Sequence, residues 1–202
     1  MPPLSVREQQ KRNRRERIFK TAMDLFERRG FQETTVLEIA KSAGVSRGTV
    51  FNYYPYKEAI LIEHLAQRLS KMQEGLPAPE QSSAPIDTIY KIFDELASFI
   101  EGNRSLVLPL SYELLNPDPE RSKQAYISLP LVPLLYRYLT KARELGLIRS
   151  DFSRERLART IANTYFLTAL QWAAYRQDRS IHEELRKALR ITLEGIVTPQ
   201  SG

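Results

Sequence analysis

The chain predicts an all-α fold, and three observations carry that expectation. Apolar residues recur at spacings of three and four, as in Ile18, Ala22, Leu25 and Phe26, which places them on one stripe of a helix. No segment shows the period-two alternation of a half-buried strand. Helix-length stretches are separated by glycine, proline and polar residues suited to caps, most clearly in GLPAPEQSSAP at 75–85. At 202 residues and 42% hydrophobic content, the chain has room for one sizeable helical domain and a smaller one.

Residues 1–13 form a polar, basic lead-in, rich in arginine, that reads either as a flexible arm or as a solvated helix extension. The first apolar-striped helix follows and stops at Gly30. A long amphipathic helix with Ile60, Leu61, Leu65 and Leu69 inward runs from Lys57 to about Gly75, and the Pro- and Ser-rich stretch after it reads as a linker. Further helices are expected at about 86–102, 104–115, 119–145, 154–176 and 180–197. Pro130 and Pro133 should kink or split the 119–145 helix, because each removes a hydrogen bond and clashes with the preceding turn.

Between the first and the long helix lies TTVLEIAKSAGVSRGTVFNYYPYKEAI, residues 34–60, which reads as two short helices joined by a tight turn. Thr35 and Glu38 have capping-box spacing, so a helix can begin at Val36 with its free amides satisfied. Gly44 supplies the left-handed backbone of a sharp turn, and Ser46 can cap a second helix from Arg47 to Tyr53 that Pro55 ends. Val36, Ile39, Ala40, Val45 and Val50 would meet on the inner side. The outer side is left with Ser46, Arg47, Thr49, Asn52 and Tyr53, side chains able to reach phosphates and base edges. This is the layout of a helix-turn-helix that presents its second helix to a major groove. An ordinary helical hairpin has the same local pattern.

The segment from Arg17 to Leu65 closely resembles the DNA-binding domain of the TetR family of bacterial transcriptional repressors. The resemblance rests on Gly30-Phe31 at the end of the first helix, Thr34-Thr35 at the start of the second, Gly44-Val45-Ser46 in the turn and Lys57-Glu58 at the start of the fourth. Two positions depart from the family. Phe51 stands where a tyrosine commonly reaches a phosphate, and Tyr56 stands where a serine commonly caps the fourth helix. The resemblance implies a DNA-binding domain over 1–56 and a ligand-binding and dimerisation domain over 57–202. It also implies a homodimer on a palindromic double-stranded operator, with the last two long helices of each protomer packed against those of its twin. Candidate interface residues are Ala158, Ile161, Ala162, Tyr165, Ala169, Trp172 and Ala173, then Leu185, Leu189, Thr192, Leu193 and Ile196. In this frame Arg47, Thr49 and Asn52 face base edges; Thr35, Ser46, Tyr53 and Lys57 hold phosphates; Gly48 lets the backbone approach the DNA.

Charge is placed as a polyanionic partner would require. The net charge is +6, of which residues 1–75 hold +5, with 14 Lys and Arg against 9 Asp and Glu. There is no cysteine, and His64 and His182 are far apart in sequence. Neither metal-ligand spacing, nor a nucleophile elbow, nor a phosphate loop is present, so no cofactor, metal or enzymatic activity is expected. No apolar run reaches the roughly 20 residues that span a bilayer, and no apolar stretch follows the basic amino terminus, so no membrane partner and a cytoplasmic location are expected.

The second domain carries bulky side chains at helical spacing, which usually fill a core. TetR-like proteins hold a small-molecule inducer in this domain. Phe93, Tyr112, Tyr126, Tyr136, Asn163, Phe166 and Gln171 are the candidates for an apolar pocket with a few polar groups, expected beside the Pro130–Pro133 kink. An acyl chain or acyl thioester and a planar aromatic both suit that composition. A DNA-binding protein with a solid second domain and no inducer is the alternative.

Overall fold

The computed structural model describes residues 5–195 and divides into two compact units, Met1–His64 and Leu65–Gly202. Among the described residues the regular structure is helical throughout.

In the first unit, α1 (Val6–Arg29) begins at a capping box: the Glu8 amide donates to Ser5 Oγ at 3.3 Å, and Glu8 Oε2 accepts from the Ser5 amide at 2.9 Å. The lead-in is therefore a helix extension from Val6 onward, and the flexible-arm reading fails for residues 6–13; residues 1–4 lie outside the described residues. Ile18, Ala22 and Phe26 are buried on its inner stripe, and Gly30 ends it at φ 88°. α2 (Val36–Ser42) and α3 (Arg47–Tyr53) follow with the expected bounds, and Gly44 takes φ 62° in the turn between them. Ile39, Ala40 and Val50 are buried, while Val36 and Val45 are half-buried.

α4 (Glu58–Glu74) passes from the first unit into the second. Its start lacks the serine cap, and the turn is closed instead by the Ala59 amide on Tyr56 O and the Ile60 amide on Lys57 O, both at 3.2 Å. Arg15 on α1 donates to Glu63 at 2.6 Å, which ties the first turns of α4 to the reading unit. The two compact units divide at 64/65, within α4.

In the second unit, residues 75–85 are packed and not a free linker. They contain a 3-10 turn at Pro79–Gln81, bury Pro79 and Ser82, and receive the Tyr138 hydroxyl on Pro77 O at 2.6 Å. Then come α5 (Pro85–Gly102), α6 (Arg104–Leu114), α7 (Pro119–Ser128), α8 (Leu131–Glu144), α9 (Arg154–Tyr175) and α10 (Ile181–Glu194). The prolines split the expected 119–145 helix into α7 and α8: Pro130 caps α8 and Pro133 sits in its first turn, where its missing amide costs nothing.

The core of this unit lies where α9 and α5 each pack against α8 and α10. Phe93 and Leu96 of α5, Leu135 and Leu139 of α8 and Leu189 of α10 are buried there. The expected dimer-interface set also lies inside the protomer. Ala158, Ile161, Ala162, Tyr165, Ala169, Trp172, Ala173, Leu185, Leu189 and Leu193 are all buried, Thr192 is half-buried, and Ile196 lies outside the described residues. Helical periodicity marks which residues share a face. It does not distinguish packing on a helix of the same chain from packing on a twin's.

Candidate nucleic-acid interface and ligand cavity

The outer side of α3 is built by caps. Ser46 Oγ accepts the Thr49 amide at 3.0 Å and lies 2.8 Å from Thr49 Oγ1, so the cap satisfies one of the free amides in the first turn of α3. Thr35 does the same for α2: its amide and hydroxyl both donate to Glu38 Oε2 at 2.9 Å, and its Oγ1 accepts the Glu38 amide at 3.2 Å. Those bonds hold the Glu38 carboxyl below the usual carboxylate range. Arg47, Gly48 and Asn52 are exposed, and Thr49 and Tyr53 are half-buried. The Arg47 guanidinium stacks on the Phe51 ring, 5.3 Å from its centroid, with Phe51 itself 37% exposed. A phenylalanine on this helix thus orients the arginine beside it and presents an apolar edge. A Cβ placed on Gly48 would meet nothing nearer than Ser46 Oγ at 3.9 Å, so nothing inside the protein requires glycine there.

Lys57 departs from its expected phosphate role. Its Nζ donates to Phe31 O at 2.6 Å and Thr34 O at 2.8 Å, approaches Gln32 O at 3.5 Å, and lies 4.1 Å from the centroid of the Phe31 ring. An ammonium engaged with three carbonyls staples the loop before α2 to the start of α4. Partial burial pushes its pKa down. Sequence pattern does not reveal such a staple, since the acceptors are backbone atoms more than twenty residues away.

In the second unit a half-enclosed cavity of about 260 Å³ lies among α6, α7 and α9, lined by Ser111, Leu114, Leu115, Tyr126, Asn163, Phe166, Leu167 and Leu170. Tyr126, Asn163 and Phe166 of the expected ligand set are in its wall. The other four are elsewhere. Phe93 is core, two rings behind the wall in the edge-to-face series Tyr126–Phe166 (5.8 Å), Phe166–Tyr165 (5.3 Å) and Tyr165–Phe93 (5.8 Å). Tyr112 is 62% exposed. Tyr136 lies under the Arg154 guanidinium, and Gln171 is half-buried on α9 outside the lining. The cavity is not beside the Pro130–Pro133 break, because none of its lining comes from α8.

The wall on the α6–α7 side is held by a buried charge pair. Arg121 of α7 donates through Nε and Nη2 to Glu113 of α6 at 3.1 and 2.6 Å, with Glu113 only 2% exposed, and Ser122 Oγ donates to Leu114 O at 2.6 Å. These bonds position Tyr126, whose hydroxyl burial pushes up in pKa.

Residues 61–195 match the C-terminal domain of TetR/AcrR family transcriptional repressors, and residues 18–64 match the tetR family of bacterial regulatory proteins. The chain belongs to the TetR family. As a member, it is a ligand-responsive DNA-binding transcriptional repressor, in a family whose regulators bind operators and ligands and act as dimers. It is similar to Thermus thermophilus FadR, a TetR-family repressor solved in complex with lauroyl-CoA, at 49% identity and a TM-score of 0.86, covering 93% of this chain and 99% of that one. Bacillus subtilis FadR in complex with stearoyl-CoA shares the fold at 22% identity and a TM-score of 0.70, covering 90% of this chain and 98% of that one. The fatty acid metabolism regulator protein of Bacillus subtilis (strain 168) is 24% identical over 192 residues, 93% of this chain and 97% of the relative.

For a TetR-family chain, the lining residues missed in the sequence are Ser111, Leu114, Leu115, Leu167 and Leu170. Four are leucines that any helix face uses, so no signal set them apart. Among the described residues there is no group of three or more His, Asp or Glu side chains placed to hold a metal, and no helix is long and apolar enough to cross a membrane.

Proposed function

We propose that this repressor holds a palindromic operator as a homodimer and is released from it by a long-chain fatty acyl thioester. The observation that carries the ligand class is the likeness, at 49% identity over 93% of the chain, to a repressor solved with lauroyl-CoA. The cavity supports it: leucines and Phe166 form an apolar wall, and Ser111, Tyr126 and Asn163 supply a few hydroxyl and amide groups. At about 260 Å³ it suits part of an acyl chain and excludes the nucleotide, which would stay outside.

On the DNA side, Arg47 and Asn52 read base edges, with arginine suited to guanine and asparagine to adenine, and Thr49 sits between them. Tyr53, with the capped first turns at Thr35 and Ser46, sets the register on the phosphates. The acyl ligand must prefer the conformer whose reading helices no longer match the operator, since equal affinity for both would shift nothing.

The experiment is fluorescence anisotropy of operator DNA with and without dodecanoyl-CoA. Release at ligand concentrations near its own dissociation constant is expected, and Asn52→Ala or Arg47→Ala should each cost about 1–3 kcal/mol of specific binding. DNA affinity indifferent to dodecanoyl-CoA but responsive to a planar aromatic would overturn the ligand class.

A further inference from the structure

Along α1 one stripe changes character. Phe26, Ala22 and Ile18 are buried on its inner side, and the same stripe runs on toward the amino terminus, at spacings of four and three, through Arg14, Lys11 and Arg7, all exposed. The face that packs inward turns cationic where the apolar core beneath it ends. Residues 1–15 carry five Lys and Arg against one acid, Glu8, and the Glu8 carboxylate is engaged with Ser5 in the cap of α1. Elsewhere on the chain several exposed helical cations have a carboxylate one turn away: Lys20 pairs with Glu16, Arg28 with Asp24, Arg159 with Glu155 and Lys187 with Glu183. Among the described residues Arg7, Lys11, Arg12 and Arg14 form no such pair. Like charges three and four residues apart on a helix repel, so by itself this stripe costs the helix stability.

The stripe stands next to the reading helix. Arg15, one turn before the buried Ile18, donates to Glu63 of α4 at 2.6 Å, and its guanidinium lies over the Tyr54 ring, 5.2 Å from the centroid. Tyr54 is buried directly after α3. The extension therefore leaves the first unit beside the end of α3 that carries Tyr53. From Arg7 to Arg14 it rises roughly 10 Å at about 1.5 Å per residue, and B-form DNA presents one negative charge per about 1.7 Å of its axis. A lipid surface is a poorer match, since Val6 is the only apolar residue in 6–17 and an interfacial helix needs an apolar face.

We propose that the extension of α1 is a second DNA-contact surface of this repressor, on which Arg7, Lys11 and Arg14 hold phosphates of the duplex outside the stretch read by α3. The bases read by α3 set specificity, and the extension adds affinity that is the same for every sequence, because a charge on a phosphate carries no base information. Bound phosphates relieve the repulsion along the stripe, and the counterions they release make the added affinity fall as salt rises. The inference rests on the DNA-reading role of α3 proposed above. Variants of α3 change discrimination between sequences and variants of the extension change the salt dependence, so the two readings fail separately.

The test is the triple variant R7Q/K11Q/R14Q in the full chain, with R7K/R14K as the control that keeps the charge. Glutamine is a good helix former and all three side chains are exposed, so circular dichroism and the melting curve should match wild type. Fluorescence anisotropy of a duplex of arbitrary sequence, followed over a series of salt concentrations, reads the contacts. The expected result is weaker binding at low salt and a slope of log affinity against log salt shallower by about 0.9 for each phosphate contact removed, with the wild-type slope kept in the lysine control. A triple variant with the wild-type slope overturns the proposal, as does a lysine control as weak as the triple variant. Loss of binding to phosphatidylglycerol vesicles with duplex binding unchanged assigns the stripe to a membrane and overturns it too. Should the triple variant not fold, Arg7→Gln, the change farthest from the core, takes its place with the same expected change per contact. Wild-type protein that binds no duplex at all removes both the extension and the reading helix.

Discussion

Gly48 is the second residue of a seven-residue helix, a place where glycine costs helix stability by roughly 1 kcal/mol relative to alanine. The protein itself offers nothing that a Cβ would strike. On the proposed function, the gain from glycine comes from outside the chain, in a close approach of DNA backbone to α3. Gly48→Ala should therefore leave the melting temperature unchanged or raise it, while operator affinity falls; a variant that binds operator like wild type would remove the close approach. Glu38 supports a second prediction at this scale. Its carboxyl sits below the usual range because the Thr35 amide and hydroxyl donate to the charged form. A carboxyl lowered in the folded state adds stability above its unfolded value, and loses it as pH falls through the folded value. In Thr35→Ala the Glu38 pKa should rise toward ordinary, read by NMR titration, and the acid side of the stability profile should flatten.

At the scale of elements, α7 is the short helix that completes the cavity wall with Tyr126, and α6 is its principal neighbour. Two bonds between Arg121 and Glu113, with Ser122 on Leu114 O, fasten it there. Arg121→Ala leaves a buried carboxylate without its cation, a change that costs about 3–5 kcal/mol when both partners are buried. Because the guanidinium is one-third exposed, about 2 kcal/mol is the expected loss, with weaker uptake of an apolar probe as Tyr126 loosens. Unchanged stability and probe affinity would show that α7 is held without the ion pair, by its apolar contacts and the Ser122 bond.

For the whole molecule, the basic excess lies in the first 75 residues and the cavity in the second unit, so the proposed function places DNA and ligand at separate sites. If ligand releases DNA through a shift between two conformers, operator must weaken ligand binding by the same factor by which ligand weakens operator binding. Calorimetric titration of the ligand into free and operator-bound protein measures both arms of that cycle. Ligand affinity that is the same for free and operator-bound protein would show that the ligand does not release DNA.

What the sequence determined by itself was local. The capping boxes, the Gly44 turn and the bounds of α2 and α3 depend on residues within four positions of one another, and short-range steric and hydrogen-bond preferences settle them. The all-α class was legible for the same reason, as was the family, whose motif is contiguous. Tertiary structure decided whatever depends on partners distant in the chain. Lys57 finds carbonyls 23 to 26 residues away in place of a phosphate, and residues 75–85 bury Pro79 beneath a fold that periodicity cannot foresee. The apolar stripe of α9 was plain in the sequence, but only packing assigned it to the protomer core. Burial is a property of what surrounds a residue in space, and one helix reads the same whichever neighbour covers it.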